Sequence, residues 1–122
     1  MAARAKQKSR QTMAEQADIH DLYERSVQSV DVEVEFLRDT FRALRGRDAE
    51  SLREDFCGTS ALSCEWVRSR SNRRAIGVDN DPAVLDWGRR HHVARLPEAS
   101  RSRVKLLNED VRTVVTDPVD MV

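Results

Sequence analysis

From Ala17 to Leu44 the apolar positions recur at helical spacing. Ile19, Leu22 and Tyr23 form one set. After a polar break at Gln28 and Ser29, Val34, Leu37, Phe41 and Leu44 form a second. The pattern predicts two amphipathic helices, the second capped by Asp31 and closed by Gly46. Beyond Gly46 the texture changes to short apolar runs alternating with helical stretches. Arg74 to Asp79 is a short apolar run ending in an acid, which suits a buried strand. Asp81 then offers an N-cap and Pro82 fits the first helical position, with Val84, Leu85, Gly88 and His92 continuing on one helical face. A polar loop around Pro97 to Ser102 leads to Val104 through Leu107, a second strand. Ala61 to Arg70 reads as a helix with Leu62, Trp66 and Val67 facing inward. Glu50 to Glu54 is weak as a strand, since Leu52 is its one strongly apolar residue; its place in the order is what makes it one. The resulting strand–helix–strand–helix–strand order has connections longer than the dozen or so residues a crossover needs. It predicts right-handed βαβ units and a parallel α/β sheet.

Composition narrows the function classes. A chain of 122 residues is one modest domain, and its 39% hydrophobic and 34% charged content leaves only a small core. Its 21 basic and 21 acidic residues are interspersed and cancel, so no charged field points to nucleic acid or an anionic membrane surface. No apolar run approaches the ~18 residues of a membrane span, and no secretory h-region is present, so a cytoplasmic location is expected. Residues 1–16 are expected to form a disordered basic tail, with Arg4, Lys6, Lys8 and Arg10 and no acid before Glu15. Residues 17–46 form the helical segment and 47–122 the α/β part. Cys57 and Cys64 would lie about two helical turns, ~10 Å, apart. That exceeds the ~7 Å Cα separation a disulfide tolerates, and no paired spacing marks a metal site, so reduced thiols and no metal are expected. His91 and His92 read as a cation pair at a helix C-terminus, and Trp66 and Trp87 as core.

Chemistry gathers at the strand ends. In an open parallel sheet ligands bind outside the carboxyl ends of the strands, near the topological switch point. Glu54, Asp79 and Asp110 fall at three such ends. Cys57-Gly58-Thr59 follows the first and leads into a helix. Asp79 lies 21 residues beyond Gly58, close to the ~20-residue spacing at which an acid meets ribose hydroxyls. Taken singly, Glu54 and Asp55 also read as solvated loop acids, Asp79 as a strand-end cap and Asp110 as a turn residue. Their joint spacing favours one ligand site.

Three stretches carry a resemblance. "LREDFCGTSALSCEW", "AIGVDNDPAVLDWGRRH" and "VKLLNEDVRTV" are similar, in order, to the first three motifs of class I S-adenosylmethionine-dependent methyltransferases. The resemblance implies a Rossmann-like, doubly wound parallel sheet, here incomplete at about three strands and preceded by N-terminal helices. It implies S-adenosylmethionine as cofactor, with Glu54 near its methionine moiety and Gly58 letting the backbone approach. Asp79 would take the ribose hydroxyls, Asn80 would lie beside the adenine, and Asp110 would accept from the adenine amino group with Val111 alongside. Phe56 and Thr59 belong to the same turn, and Tyr23 either folds over the cofactor or plugs the core.

Departures from the motif are informative. Phe56 stands where a first glycine is usual and Ser60 where a later one is common. The missing glycines disfavour a dinucleotide, whose pyrophosphate needs a G-x-G-x-x-G cradle. A sulfonium instead favours carboxylates and aromatic faces, which Glu54, Asp55 and Phe56 supply. The chain ends at Asp117 to Val122, where the resemblance places the start of a fourth strand. It therefore resembles the cofactor half of a methyltransferase, expected to be marginally stable and inactive alone, with its methyl acceptor and catalytic residues unassigned. A non-catalytic nucleotide- or metabolite-binding module and, less favoured, an NAD-dependent oxidoreductase are the alternatives.

Overall fold

The computed structural model describes residues 29–122. Tyr23, the first of the two expected helices and the basic tail lie outside the described residues. The first described element, α1, is helical over residues 29–45. Ser29, the first described residue, is helical, so Asp31 lies within the helix rather than capping it; there it reaches Arg68 at 3.9 Å. Val30, Val34 and Phe41 are buried with Leu37 packed beside them, and Leu44 is exposed. At about 100° per residue Leu44 falls at the edge of that stripe. Gly46 ends the helix with φ +70°, its N–H donating to the Arg42 carbonyl at 2.8 Å.

Three parallel strands follow: β1 (Ser51–Asp55), β2 (Arg74–Asp79) and β3 (Val104–Asn108), in spatial order β1-β2-β3. Helix α2 (Ala61–Ser69) connects the first two. The second connection runs through α3 (Pro82–His91), a short 3-10 turn (Val93–Arg95) and the single-turn α4 (Glu98–Arg101). Register pairs Leu52 with Ala75 and Ala75 with Val104, so these three share one face. Trp66 and Val67 of α2 are fully buried in the same cluster, together with α1's Val30, Val34 and Phe41. Trp66 also donates its indole N–H to the Glu50 carbonyl at 3.2 Å, and the Arg73 guanidinium lies over its ring at 3.9 Å. Trp87, expected in the core, is only half-buried: it stacks on His91 with ring centroids 4.0 Å apart. It lies on the α3 flank beside the helix-ending histidines, not on the stripe of Leu85 and Gly88 that faces inward.

The end of the chain returns to β1. No strand forms over residues 117–122. Met121 makes a single parallel bridge with Leu52, and Arg53 N–H donates to the Met121 carbonyl at 2.9 Å. Asp120 anchors this return: its carboxylate accepts from Glu50 N–H (2.7 Å), Ser51 N–H (3.2 Å) and Arg47 (2.9 Å). β1 thus has β2 on one side and the 121 segment on the other. That makes the carboxyl end of β1 the switch point of the sheet. Among the described residues, no helix is long and apolar enough to cross a membrane.

Candidate functional site

The turn after β1 is held in a conformation that glycine would adopt freely. Phe56, Gly58 and Ser60 all have positive φ, at +57°, +56° and +64°. For a non-glycine residue this region costs roughly 1–2 kcal/mol. The two positions where glycines are missing from the motif are therefore left-handed all the same. Neighbouring hydrogen bonds impose the shape: Cys57 N–H donates to the Val78 carbonyl (3.0 Å) and Ser60 N–H to the Cys57 carbonyl (2.9 Å). Ser60 is fully buried, with its hydroxyl on Cys57 Sγ at 3.3 Å. Burial pushes the Cys57 thiol up to about 11 and that of Cys64 up to about 12, so neither is a thiolate near neutral pH.

Asp79 knits the three strand ends together. Its Oδ2 accepts from Gly58 N–H at 2.9 Å and its Oδ1 from Asp81 N–H at 2.9 Å. Its backbone carbonyl accepts from Glu109 N–H and from Asn108 Nδ2, both at 3.1 Å. A carboxylate offers about four acceptor positions, so among the described residues two are left for outside donors. Asp81 caps α3 by accepting from Ala83 and Val84 N–H, with Pro82 at the first helical position. Asn108 was not among the sequence candidates, because a side-chain amide bridging to a neighbouring strand leaves no periodic or motif signature.

The other expected site residues lie at or just beyond the same strand ends. Glu54 points toward α2, where Ser63 Oγ donates to its Oε1 at 2.8 Å. Burial pushes the Glu54 carboxyl up to about 7, against the lowering effect of that hydrogen bond. Asp55 is turned the other way and paired with Arg53 at 2.7 Å. Asp110 lies just beyond β3, clasped by Arg112: Nη2 is 2.6 Å from Oδ2 and Nε 3.0 Å from Oδ1. The Arg112 hydrogen bonds hold its carboxyl below the usual range. The Val111 carbonyl faces Arg53 at 3.5 Å, and Asn80 is exposed beside Asp79. Phe56 is 76% exposed. Thr59 makes a contact that pattern reading missed: a Cβ on Gly88 would lie 2.2 Å from the Thr59 carbonyl oxygen. The signal was available, since a glycine inside a helical pattern demands a packing reason.

A cavity of about 330 Å³ lies elsewhere, between the helices, lined by residues such as Val30, Cys64, Glu65, Arg68, His91 and His92. It holds none of the strand-end acids, and in an open parallel sheet the carboxyl edge is where ligands bind. At that edge Asp110 is paired with Arg112 and Asp55 with Arg53, while the Asp79 carboxylate keeps acceptor positions that suit hydroxyl and amino donors.

No protein-family model matches the sequence, and no curated protein matches it. Solved structures do match its fold. The plantazolicin methyltransferase BpumL, in complex with a monoazolic desmethylPZN analog and SAH, superposes with a TM-score of 0.61 at 8% identity, over 78% of this chain and 34% of that one. The glycopeptide N-methyltransferase MtfA gives 0.55 at 18% identity, over 75% of this chain and 35% of that one. The methyltransferase domain of bacterial CtHen1-C gives 0.52 at 24% identity, over 66% and 38%. The chain thus has the Rossmann-like α/β fold found in part of these enzymes and spans about a third of their length.

Proposed function

We propose that the chain is the cofactor-binding part of an S-adenosylmethionine-dependent methyltransferase. The observation that carries the reading is the Asp79 hub, which brings Gly58 within 2.9 Å of its carboxylate and fastens the end of β3 beside it. The likeness in fold to methyltransferases, including one solved with SAH bound, supports it. In this reading Asp79 uses its remaining acceptor positions for the ribose hydroxyls, and Asn80 lies beside the adenine. Asp110 takes the adenine amino group, with Val111 alongside. Gly58 and Thr59 let the backbone come close, while Glu54 and Phe56 lie at the methionine end. The cofactor supplies an activated methyl group, and the protein contributes by holding it against a separate methyl-acceptor substrate. Residues 47–122 act as one α/β unit that supplies this half-site.

Calorimetric titration of S-adenosylhomocysteine and of NAD into the purified protein tests the reading, with Asp79→Ala as control. Saturable binding of S-adenosylhomocysteine that is lost in Asp79→Ala is expected. Binding of NAD alone, or binding indifferent to Asp79, would overturn it.

A further inference from the structure

Phe56 combines two features that do nothing for the fold. Its backbone sits in the left-handed region at φ +57°, and 76% of its surface is exposed. A side chain held there is strained, and an exposed ring gains little from burial. Strain of this kind persists only where its surroundings impose it, and it clusters at ligand sites. Here the hydrogen bonds of Cys57 to Val78 and of Gly58 to Asp79 fix the turn immediately after the ring. Glycine would satisfy that turn without strain.

Resting on the cofactor reading above, we infer that Phe56 is a specificity-determining residue: its ring lies against the sulfonium and makes the protein favour the methyl-charged cofactor over the neutral product. Phe56 is the first residue beyond β1, at the switch point of the sheet, and follows Glu54 and Asp55 directly in the chain. A sulfonium is a cation dressed in apolar carbon, the kind of group an aromatic face attracts. S-adenosylhomocysteine keeps the same adenosine and amino-acid groups and lacks the charge. Contacts at Asp79 and Asp110 would therefore treat the two compounds alike, and discrimination must come from groups near sulfur.

The test measures the dissociation constants of both compounds for the wild type, Phe56→Leu, Phe56→Gly and Phe56→Tyr, with thermal unfolding of each. Leucine keeps the bulk and the strain but lacks the aromatic face; tyrosine keeps the face. The preference for S-adenosylmethionine over S-adenosylhomocysteine is expected to fall about two- to fivefold in Phe56→Leu and Phe56→Gly, the range of an exposed cation–π contact, and to survive in Phe56→Tyr. Phe56→Gly is expected to unfold at or above the wild-type temperature. An unchanged ratio in the leucine and glycine variants overturns the role of Phe56 and leaves the cofactor reading standing. A wild-type protein that binds neither compound overturns both.

Discussion

Gly88→Ala is the substitution for which helix propensity and tertiary packing give opposite signs. In an exposed helix interior, alanine is favoured over glycine by about 1 kcal/mol. Gly88 is buried in α3, and a Cβ there would stand 2.2 Å from the Thr59 carbonyl oxygen, 2.8 Å from its carbon and 3.2 Å from its Cα. All three atoms are backbone, so no rotamer change relieves the overlap. Either α3 or the β1–α2 turn must move by most of an ångström. Overpacking of this kind costs typically up to ~3 kcal/mol, and the propensity gain of ~1 kcal/mol leaves about 2 kcal/mol of net destabilisation. For a chain of this size each kcal/mol lowers Tm by about 4 °C, so a fall of roughly 8 °C is expected by differential scanning calorimetry. The turn that moves carries Gly58 and Thr59, so S-adenosylhomocysteine affinity is expected to fall as well. A Gly88→Ala variant as stable as the wild type, or more stable, would refute the close helix–turn contact and the packing argument built on it.

Three further outcomes follow from the charges. Burial raises the Glu54 pKa to about 7, above its unfolded value near 4.5, so the folded state holds the proton more tightly and stability declines as pH rises between those values. Glu54→Gln is therefore expected to be more stable than the wild type at pH 8, by roughly 1–3 kcal/mol, with the gap closing toward pH 5 in urea titrations; a gap that does not change with pH would contradict the burial. Arg112 clasps Asp110 in the free protein, so Arg112→Ala is expected to raise S-adenosylhomocysteine affinity up to about fivefold while Asp110→Asn lowers it; isothermal titration showing both variants weakened would mean that the arginine supports binding. Asp120→Ala removes the acceptor for two β1-side amides and is expected to cost roughly 1–3 kcal/mol at pH 7 by chemical denaturation. Hydrogen bonding to Arg47 lowers the Asp120 pKa, so its contribution is present at neutral pH and fades as pH drops below about 4.

The parts of this fold that were legible in the sequence are those whose physics is local. Arg74–Asp79 was a run of apolar residues between polar ones, and it is β2 to the residue. Asp81-Pro82 is a cap and a first helical residue because both act on the backbone beside them, and Gly46 ends α1 for the same reason. β1 was faint because its charged residues find partners through the fold: Arg53 and Asp55 neutralise each other and Glu54 lies against Ser63. Asp31 misled because a good capping residue is also acceptable inside a helix, where it lies. Trp87 misled because an aromatic next to two histidines can cover itself on the surface by stacking. At the candidate site, the spacing of Gly58 and Asp79 placed them at successive strand ends, but the hydrogen bond between them is visible only in the fold. The part played by Asn108, and the left-handed backbone at Phe56 and Ser60, depend on how the turn meets the adjacent strands. A chain position alone does not carry that.

Whether the three strand ends form one adenosyl site is read out by an amide-resolved NMR titration of the labelled protein with S-adenosylhomocysteine. Saturable shifts concentrated at residues 56–60, 79–81 and 110–112, all with one dissociation constant, are expected. Shifts centred instead on the helical cavity around Cys64, His91 and His92, or no shifts at the strand ends, would contradict the single adenosyl site.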